Sequence, residues 1–366
     1  MNPRFILLGG FLGAGKTTTL ARLARHYTDQ GLKVAIVTND QTTDLVDTHS
    51  LRSQGFDVGE VAGACFCCSF NDLTKTVDGL SRSSLPDVIL AEPVGSCTDL
   101  VATVVRPLSS IYERPLEIAP YGVILKPSHG LRILRNEPRS GFSPKAAYIF
   151  RKQLEEADFL IVNRIDELTD ATILELETLL ERDFPERPTL RLSAKTGAGF
   201  ESLVQQLSLD GQFGQRLIDV DYDVYAEGEA ELGWLNSQLR IASKSEFDLD
   251  TLLLAIATRL SVSLASNDAE TAHLKVIGMW EGNYAVANHV SSFTQPELSL
   301  PSGARVSTAD IVVNARVATD PKLLEQIVRD ELQKLCSERG AELTLSTMQS
   351  FRPGRPVPTH RIPASI

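Results

Sequence analysis

Cys65-Phe-Cys67-Cys68 places three of the chain's five cysteines within four positions. Clustered thiolates can grip one soft ion together, and sulfur selects zinc, copper(I) or similar ions over magnesium and calcium without choosing among the thiophilic metals. A second chemistry is written at Gly10-Phe-Leu-Gly13-Ala14-Gly15-Lys16-Thr17, which fits G-x-x-x-x-G-K-[ST] in full. Glycines let backbone N–H groups wrap the phosphates of a nucleotide, Lys16 reaches the β- and γ-phosphates, and the Thr17 oxygen can ligate Mg²⁺. Thr18 follows at the start of the next element.

These residues need elements to hold them. Residues 4–8, RFILL, read as a buried strand entering the loop, and TTLARLARHY after it reads as a helix whose N-terminus favours negative charge. A second apolar run, DFLIV at 158–162, ends in Asn163-Arg164-Ile165-Asp166. A carboxylate there can accept from the guanine N1–H and amino group, a donor pair adenine lacks, so Asn163 and Asp166 point to guanine. Ser193-Ala194-Lys195 follows the same strand-then-loop layout and supplies the third guanine-cradling segment. Between them, Val88–Ala91 reads as a parallel strand delivering Glu92 to the phosphate edge, where a carboxylate can orient the Mg²⁺ shell or the attacking water. Gly95, with nothing on its Cα, can bring its N–H close to a γ-phosphate. A second candidate switch runs from Asn39-Asp40-Gln41 to Asp47. Lys16, Glu92 and Asp47 are the candidate catalytic residues.

The motifs GGFLGAGKTT, C-x-C-C before a helix, E-x-x-G after a strand, N-[KR]-x-D and SAKTG, in this order over about residues 1–209, resemble the CobW-type metal-chaperone GTPases. These are relatives of the urease and hydrogenase nickel-insertion GTPases. The resemblance implies a SIMIBI-class P-loop GTPase whose Cys65, Cys67 and Cys68 bind a transition metal, commonly zinc or cobalt, and whose GTP cycle couples to metal delivery. It also implies that Asn39, Asp47, Glu92 and Gly95 form the switch regions. The chain departs from the pattern in three places: Ala64 precedes the first cysteine, the six histidines form no tract, and residues 124–129 read Ile-Leu-Lys-Pro-Ser-His.

In an extended segment alternate side chains share a face, so Cys65 and Cys67 are expected to face one ion together, with Cys68 reaching it through a local bend. Three thiolates leave a fourth position open, as suits an ion that is passed on. The helix expected over SFNDLTKTVDGL should lower the pKa of the neighbouring thiols. The cluster falls between the phosphate loop and Glu92, on a segment that can respond to the γ-phosphate. Cys97 and Cys336 read as small core residues rather than ligands.

The 366 residues suggest two domains, and 43% hydrophobic with 23% charged content is that of a globular chain. A net charge of −11 argues against a phosphate-backbone binder, so no nucleic-acid partner is expected. With no apolar run near the ~20 residues that span a bilayer and an N-terminal stretch unlike a secretory signal, no membrane partner and a cytoplasmic location are expected. The expected architecture is α/β: a P-loop NTPase domain over 1–209 with a mostly parallel sheet and helices on both faces, a linker over 210–228, and a smaller α+β domain over 229–366. In the latter, strands are expected around 231–243, 272–280, 284–292 and 309–317, with helices at about 248–261 and 320–337 and an extended tail from Phe351. His273 and His289 read as sheet residues, and the basic positions between 126 and 152 as a solvated loop rather than a docking patch.

The expected activity is GTP hydrolysis at a Mg²⁺ site coupled to transfer of a thiophilic metal, zinc favoured and cobalt possible, to a client protein. The alternatives are a P-loop ATP- or GTP-dependent small-molecule enzyme and a nucleotide-gated scaffold whose thiols sense redox state. Whether a second copy completes the metal site stays open.

Overall fold

The computed structural model describes residues 2–40, 51–52, 54–62, 65–80, 85–137, 143–290 and 294–363. Asp47 and Gln41 lie outside them. The chain forms two compact units, Met1–Gly228 with Arg355–Ile366, and Glu229–Gly354.

The first unit is built on strands β1 (Arg4–Gly10), β2 (Val34–Asp40), β3 (Asp57–Ala62), β4 (Val88–Glu92), β5 (Glu117–Ile118), β6 (Gly122–Leu125), β7 (Phe159–Val162) and β8 (Thr189–Arg191). They form one parallel sheet in the order β3-β2-β4-β1-β6-β7-β8, with β5 pairing β1. The central strands are apolar through their middles because helices cover both faces, and β4 and β7 are buried throughout. Every motif singled out in the sequence follows the C-terminal end of one of these strands, which gathers them on one edge of the sheet. The core beneath that edge joins Ile6 and Leu8 of β1 to Leu20, Leu23 and Ala24 of the first helix, Lys16–Asp29.

At Gly10 the chain leaves β1 with φ 139°, and a Cβ there would lie 2.3 Å from the Ile124 carbonyl oxygen of β6. Only glycine lets the loop start this close to the neighbouring strand.

The second unit holds β9 (Gly233–Asp248), β10 (Glu270–Trp280), β11 (Asn283–His289), β12 (Glu297–Leu300), β13 (Arg305–Ala318) and β14 (Glu342–Phe351). They pair antiparallel in the order β12-β11-β10-β13-β9-β14. The helix Leu249–Ser266 is capped by Asp248, which accepts from the Thr251 N–H, and the helix Pro321–Glu338 is capped by Asp320. The first of these is long and apolar enough, by length and composition, to cross a membrane. Its Leu252, Leu253, Ile256, Leu260 and Leu264 instead fill the core against the sheet. The sheet and two helices follow the expected layout; β12 and β14 were not expected.

Two expectations need correction. Residues 355–363 belong with the first unit rather than with residues 229–354, because their hydrogen bonds go to Cys67, Cys68 and Ala102. Arg139 lies outside the described residues, and among those described the basic stretch between 126 and 152 is mostly helical, lying in Pro127–Leu134 and Pro144–Glu156. There Arg135 pairs with Glu175 and Arg151 with Asp183.

Candidate nucleotide and metal site

Residues 11–15 turn from β1 into a helix whose N-cap, Gly15, is left-handed at φ 97° and gives no side-chain cap. The first N–H groups of that helix therefore have no side-chain acceptor from the N-cap position. Lys16 is buried, 7% exposed, and its Nζ donates to the Gly10 carbonyl at 2.9 Å, folding the ammonium back over the loop. Thr17 Oγ1 donates to Glu92 Oε1 at 2.9 Å, so hydroxyl and carboxylate stand side by side at the ends of two elements. Gly95 packs against the loop: a Cβ there would lie 2.7 Å from Leu12 Cδ2 and 3.1 Å from Leu12 N. Gln153, 1% exposed, donates from Nε2 to the carbonyls of Gly95 at 3.0 Å and Cys97 at 2.8 Å, fixing the segment beyond Glu92.

The guanine-side residues are assembled by Asn163. Its Nδ2 donates to the Ala14 carbonyl at 2.7 Å and its Oδ1 accepts from the Ala194 N–H at 2.9 Å, so one buried amide joins the phosphate loop to the Ser193-Ala194-Lys195 turn. That turn closes on itself through Thr196 N–H to Ser193 Oγ at 3.0 Å. Arg22 holds its far side, donating to the Ala194 and Lys195 carbonyls. Asp166 is exposed on the short 3-10 turn Ile165–Glu167, and Arg164, left-handed at φ 61°, turns its guanidinium to Glu167 at 3.0 Å. Lys195 is exposed. The structure thus gathers Lys16, Thr17, Glu92, Gly95, Asn163, Asp166 and the Ser193 turn around one sheet edge, while Asp47 lies outside the described residues.

The thiols meet by a different route from the one expected. Residues 66–69 are a turn, not an extended segment, closed by the Cys68 and Ser69 N–H groups donating to the Cys65 carbonyl at 3.0 and 2.9 Å. This brings Cys65 Sγ to 2.8 Å from Cys67 Sγ and 3.2 Å from Cys68 Sγ, with 3.7 Å between the last two. Three sulfurs at about 2.3 Å from a tetrahedral zinc stand roughly 3.8 Å apart, so this trio fits such an ion after opening by at most about 1 Å. Asn39 anchors the turn to β2: its Nδ2 donates to the Val61 carbonyl at 2.9 Å and its Oδ1 accepts from the Phe66 N–H at 2.8 Å.

Hydrogen bonds from Cys67, then Cys68 and Cys97, hold the Cys65 thiol well below the ordinary thiol range despite its burial. Cys67 is pushed well up, first by donating to Cys65 and Cys68, and Cys68 is pushed up to about 11, first by donating to Cys65. Of the three thiols expected to be lowered beside the helix Phe70–Leu80, only Cys65 is, and neighbouring sulfurs are the main cause. An ion held by all three thiolates would displace protons from Cys67 and Cys68. Cys97 is buried, as expected of a core residue, and is also among the groups that lower the Cys65 thiol. Sequence reading also missed Gln153, and no local signal marks it.

Comparison with known proteins gives one family match, the CobW/HypB/UreG nucleotide-binding domain, over residues 4–190. The chain is 31% identical to the zinc chaperone YeiR of Escherichia coli over 183 residues, 48% of this chain and 49% of that protein. The chain therefore spans about half the length of that relative. It is 25% identical to the urease accessory protein UreG of Metallosphaera sedula over 227 residues, 57% of this chain and 96% of that protein. Among solved structures it is similar to the Zn(II)-bound YjiA GTPase from E. coli at 17% identity and a TM-score of 0.37, covering 92% of this chain and 99% of that one.

Proposed function

The chain belongs to the CobW/HypB/UreG family of nucleotide-binding domains, and from that premise we propose that it is a cytoplasmic GTPase that loads a thiophilic metal, zinc favoured, onto Cys65, Cys67 and Cys68 and delivers it to a client protein. The observation that carries this reading is the turn that brings the Cys65, Cys67 and Cys68 sulfurs within 4.8 Å of one another, tied to β2 and β3 by Asn39 at the sheet edge where the phosphate-loop residues gather. Gly95 and Cys97, whose carbonyls both accept from Gln153, form the segment through which a change at the terminal phosphate would reach the thiols.

In this reading Lys16 and the N–H groups at the start of the first helix hold the β- and γ-phosphates. Thr17 and Glu92, already adjacent, are the pair that would hold Mg²⁺, which when bound neutralises charge on the β- and γ-oxygens. Glu92 also orients the attacking water. Asp166 accepts from the guanine edge, and Asn163 acts at one remove by locking the phosphate loop to the Ser193 turn. Replacement of GTP by GDP changes the contact at Gly95, and the change reaches Cys65 through Cys97. Differential affinity is what such coupling requires, since a nucleotide that treats both states alike shifts nothing.

The test is zinc affinity of the untagged protein measured with a non-hydrolysable GTP analogue and with GDP. A difference of about tenfold or more, roughly 1.4 kcal/mol of coupling, is expected. Equal affinities would remove the coupling, and ATP competing as well as GTP would remove Asp166 as a guanine reader.

A further inference from the structure

We propose that residues 357–363 are a latch over the thiol site, fastened by Arg361 to Asp99, so that the metal enters and leaves past Cys68 only when this segment lifts. The inference rests on the reading of Cys65, Cys67 and Cys68 as the metal site, and it adds the route of access and its gate.

Access must pass Cys68. Cys65 and Cys67 are 5% and 2% exposed, whereas Cys68 is only half-buried. The latch runs across this open side. The Val357 N–H donates to Cys68 Sγ at 3.3 Å, the Thr359 N–H donates to the Cys67 carbonyl at 2.8 Å, and Thr359 Oγ1 donates to the Cys68 carbonyl at 2.8 Å. The His360 ring stands edge-on to Phe70, the first residue of the helix after the turn, with centroids 5.2 Å apart. Further along, the Ile362 N–H donates to the Ala102 carbonyl at 2.9 Å, and Arg106 donates to the Pro363 carbonyl at 2.8 Å. An N–H aimed at a ligating sulfur tunes and orients it as hydrogen bonds around metal ligands do.

The segment is held by polar contacts and little packing. Residues 357–363 have no regular secondary structure and none of them is buried; the Val357 side chain is 69% exposed while its N–H faces the sulfur. Few buried apolar contacts mean that it opens at small free-energy cost compared with the strands below it. Its firm point is the ion pair of Arg361 Nε with Asp99 Oδ2 at 2.7 Å. Asp99 is 1% exposed, lies at φ 61°, and also accepts from the Tyr222 hydroxyl at 2.7 Å. A carboxylate this deep needs its cation, so the pair holds the latch in one register. Asp99 lies four residues beyond Gly95, on the segment that carries Cys97. Arg361 is thus a positioning residue, and movement of that segment loosens the latch at its anchor.

The experiment compares the wild-type full chain with Arg361→Ala, Arg361→Lys and Val357→Pro, the last removing one N–H and no charge. Two rates are read: release of bound zinc to excess chelator, and alkylation of Cys68 in the zinc-free protein, followed by peptide mapping. Arg361→Ala should speed both by about tenfold, the factor given by ~1.4 kcal/mol of lost closure. Arg361→Lys should restore part of the difference, and Val357→Pro should speed both rates although Asp99 keeps its partner. Alkylation of Cys68 unchanged in both Arg361→Ala and Val357→Pro would overturn the latch. Failure of the wild-type protein to hold zinc would overturn the metal-site reading instead, and the alkylation rates would still decide whether the segment closes over Cys68.

Discussion

Replacing Asn163 by alanine separates a base-reading amide from a clamping one. Asn163 is 2% exposed, and truncation strips the Ala14 carbonyl of a 2.7 Å donor and the Ala194 N–H of a 2.9 Å acceptor. Each orphaned buried group costs about 1–3 kcal/mol, so destabilisation of about 2–6 kcal/mol is expected, toward the lower end if water reaches the Ala14 carbonyl. Part of this loss falls on the phosphate loop itself. If about 2 kcal/mol of pre-organisation is lost only in the empty protein, nucleotide affinity falls about thirtyfold. Urea unfolding reads the first quantity, and titration with fluorescent GDP and ADP analogues reads the second. A clamp weakens both nucleotides in proportion and leaves the preference for guanine to Asp166. Asn163→Asp should be at least as harmful, since it keeps an acceptor for Ala194 but sets a carboxylate oxygen against the Ala14 carbonyl. Loss of base preference with unchanged stability would refute the clamp and return Asn163 to direct base recognition.

A Cβ on Gly15 would lie 2.3 Å from Asn163 Nδ2 at φ 97°, so Gly15→Ala should displace the same amide. Its combination with Asn163→Ala should then destabilise by less than the sum of the single changes, by about 1 kcal/mol or more in a double-mutant cycle of urea unfolding; strict additivity would show that the two act separately. Glu156 is fully buried, and desolvation, only partly offset by the Val101, Leu100 and Asp99 N–H groups, pushes its pKa well above the ordinary 4.5. The folded protein therefore keeps a proton that the unfolded chain releases above about pH 4.5, and this contribution to stability, full below that pH, is lost as pH rises toward the folded pKa. Glu156→Gln should flatten the fall in stability that sets in above about pH 4.5; the same slope in wild type and variant would place the titration elsewhere.

The sheet edge was legible because its signals are local. A glycine loop between an apolar run and a helical pattern leaves few geometries open, and the apolar runs ending in Glu92 and Asn163 could only be buried parallel strands. The thiol turn was less legible: alternation assumes an extended chain, whereas the Cys65 carbonyl accepts from Cys68 and Ser69 and curls the segment. Strand β14 alternates half-buried Leu343 and Leu345 with exposed neighbours, but a register shift between Leu345 and Thr347 breaks the period before Met348, leaving too short a run to mark a strand. The Asn163 motif announced an amide at that position but not its partners, since an amide can equally face a base or two loops. Arg361 and Asp99 are 262 positions apart, and no spacing rule connects an arginine in a proline-rich stretch to a carboxylate beside a phosphate loop.

What those distant contacts add is a mechanical identity for residues 95–99. Gly95 lies against Leu12 of the phosphate loop, Cys97 helps to lower the Cys65 thiol, and Asp99 pairs with Arg361. Gln153 bonds two of the carbonyls in this stretch from one buried amide nitrogen, so Gly95 and Cys97 cannot shift independently without stranding that donor. A change at the terminal phosphate that moves Gly95 must therefore do one of two things: drag the Gln153 side chain along, carrying Cys97 and loosening the grip on Cys65, or break a buried hydrogen bond. Breaking it costs about 1–3 kcal/mol, while a concerted shift keeps both bonds and needs only that exposed contacts such as those of residues 357–363 give way. The cheaper response is the one that alters the sulfur site and its cover together, and under the proposed function this is the step that would tie release of the ion to the change of nucleotide.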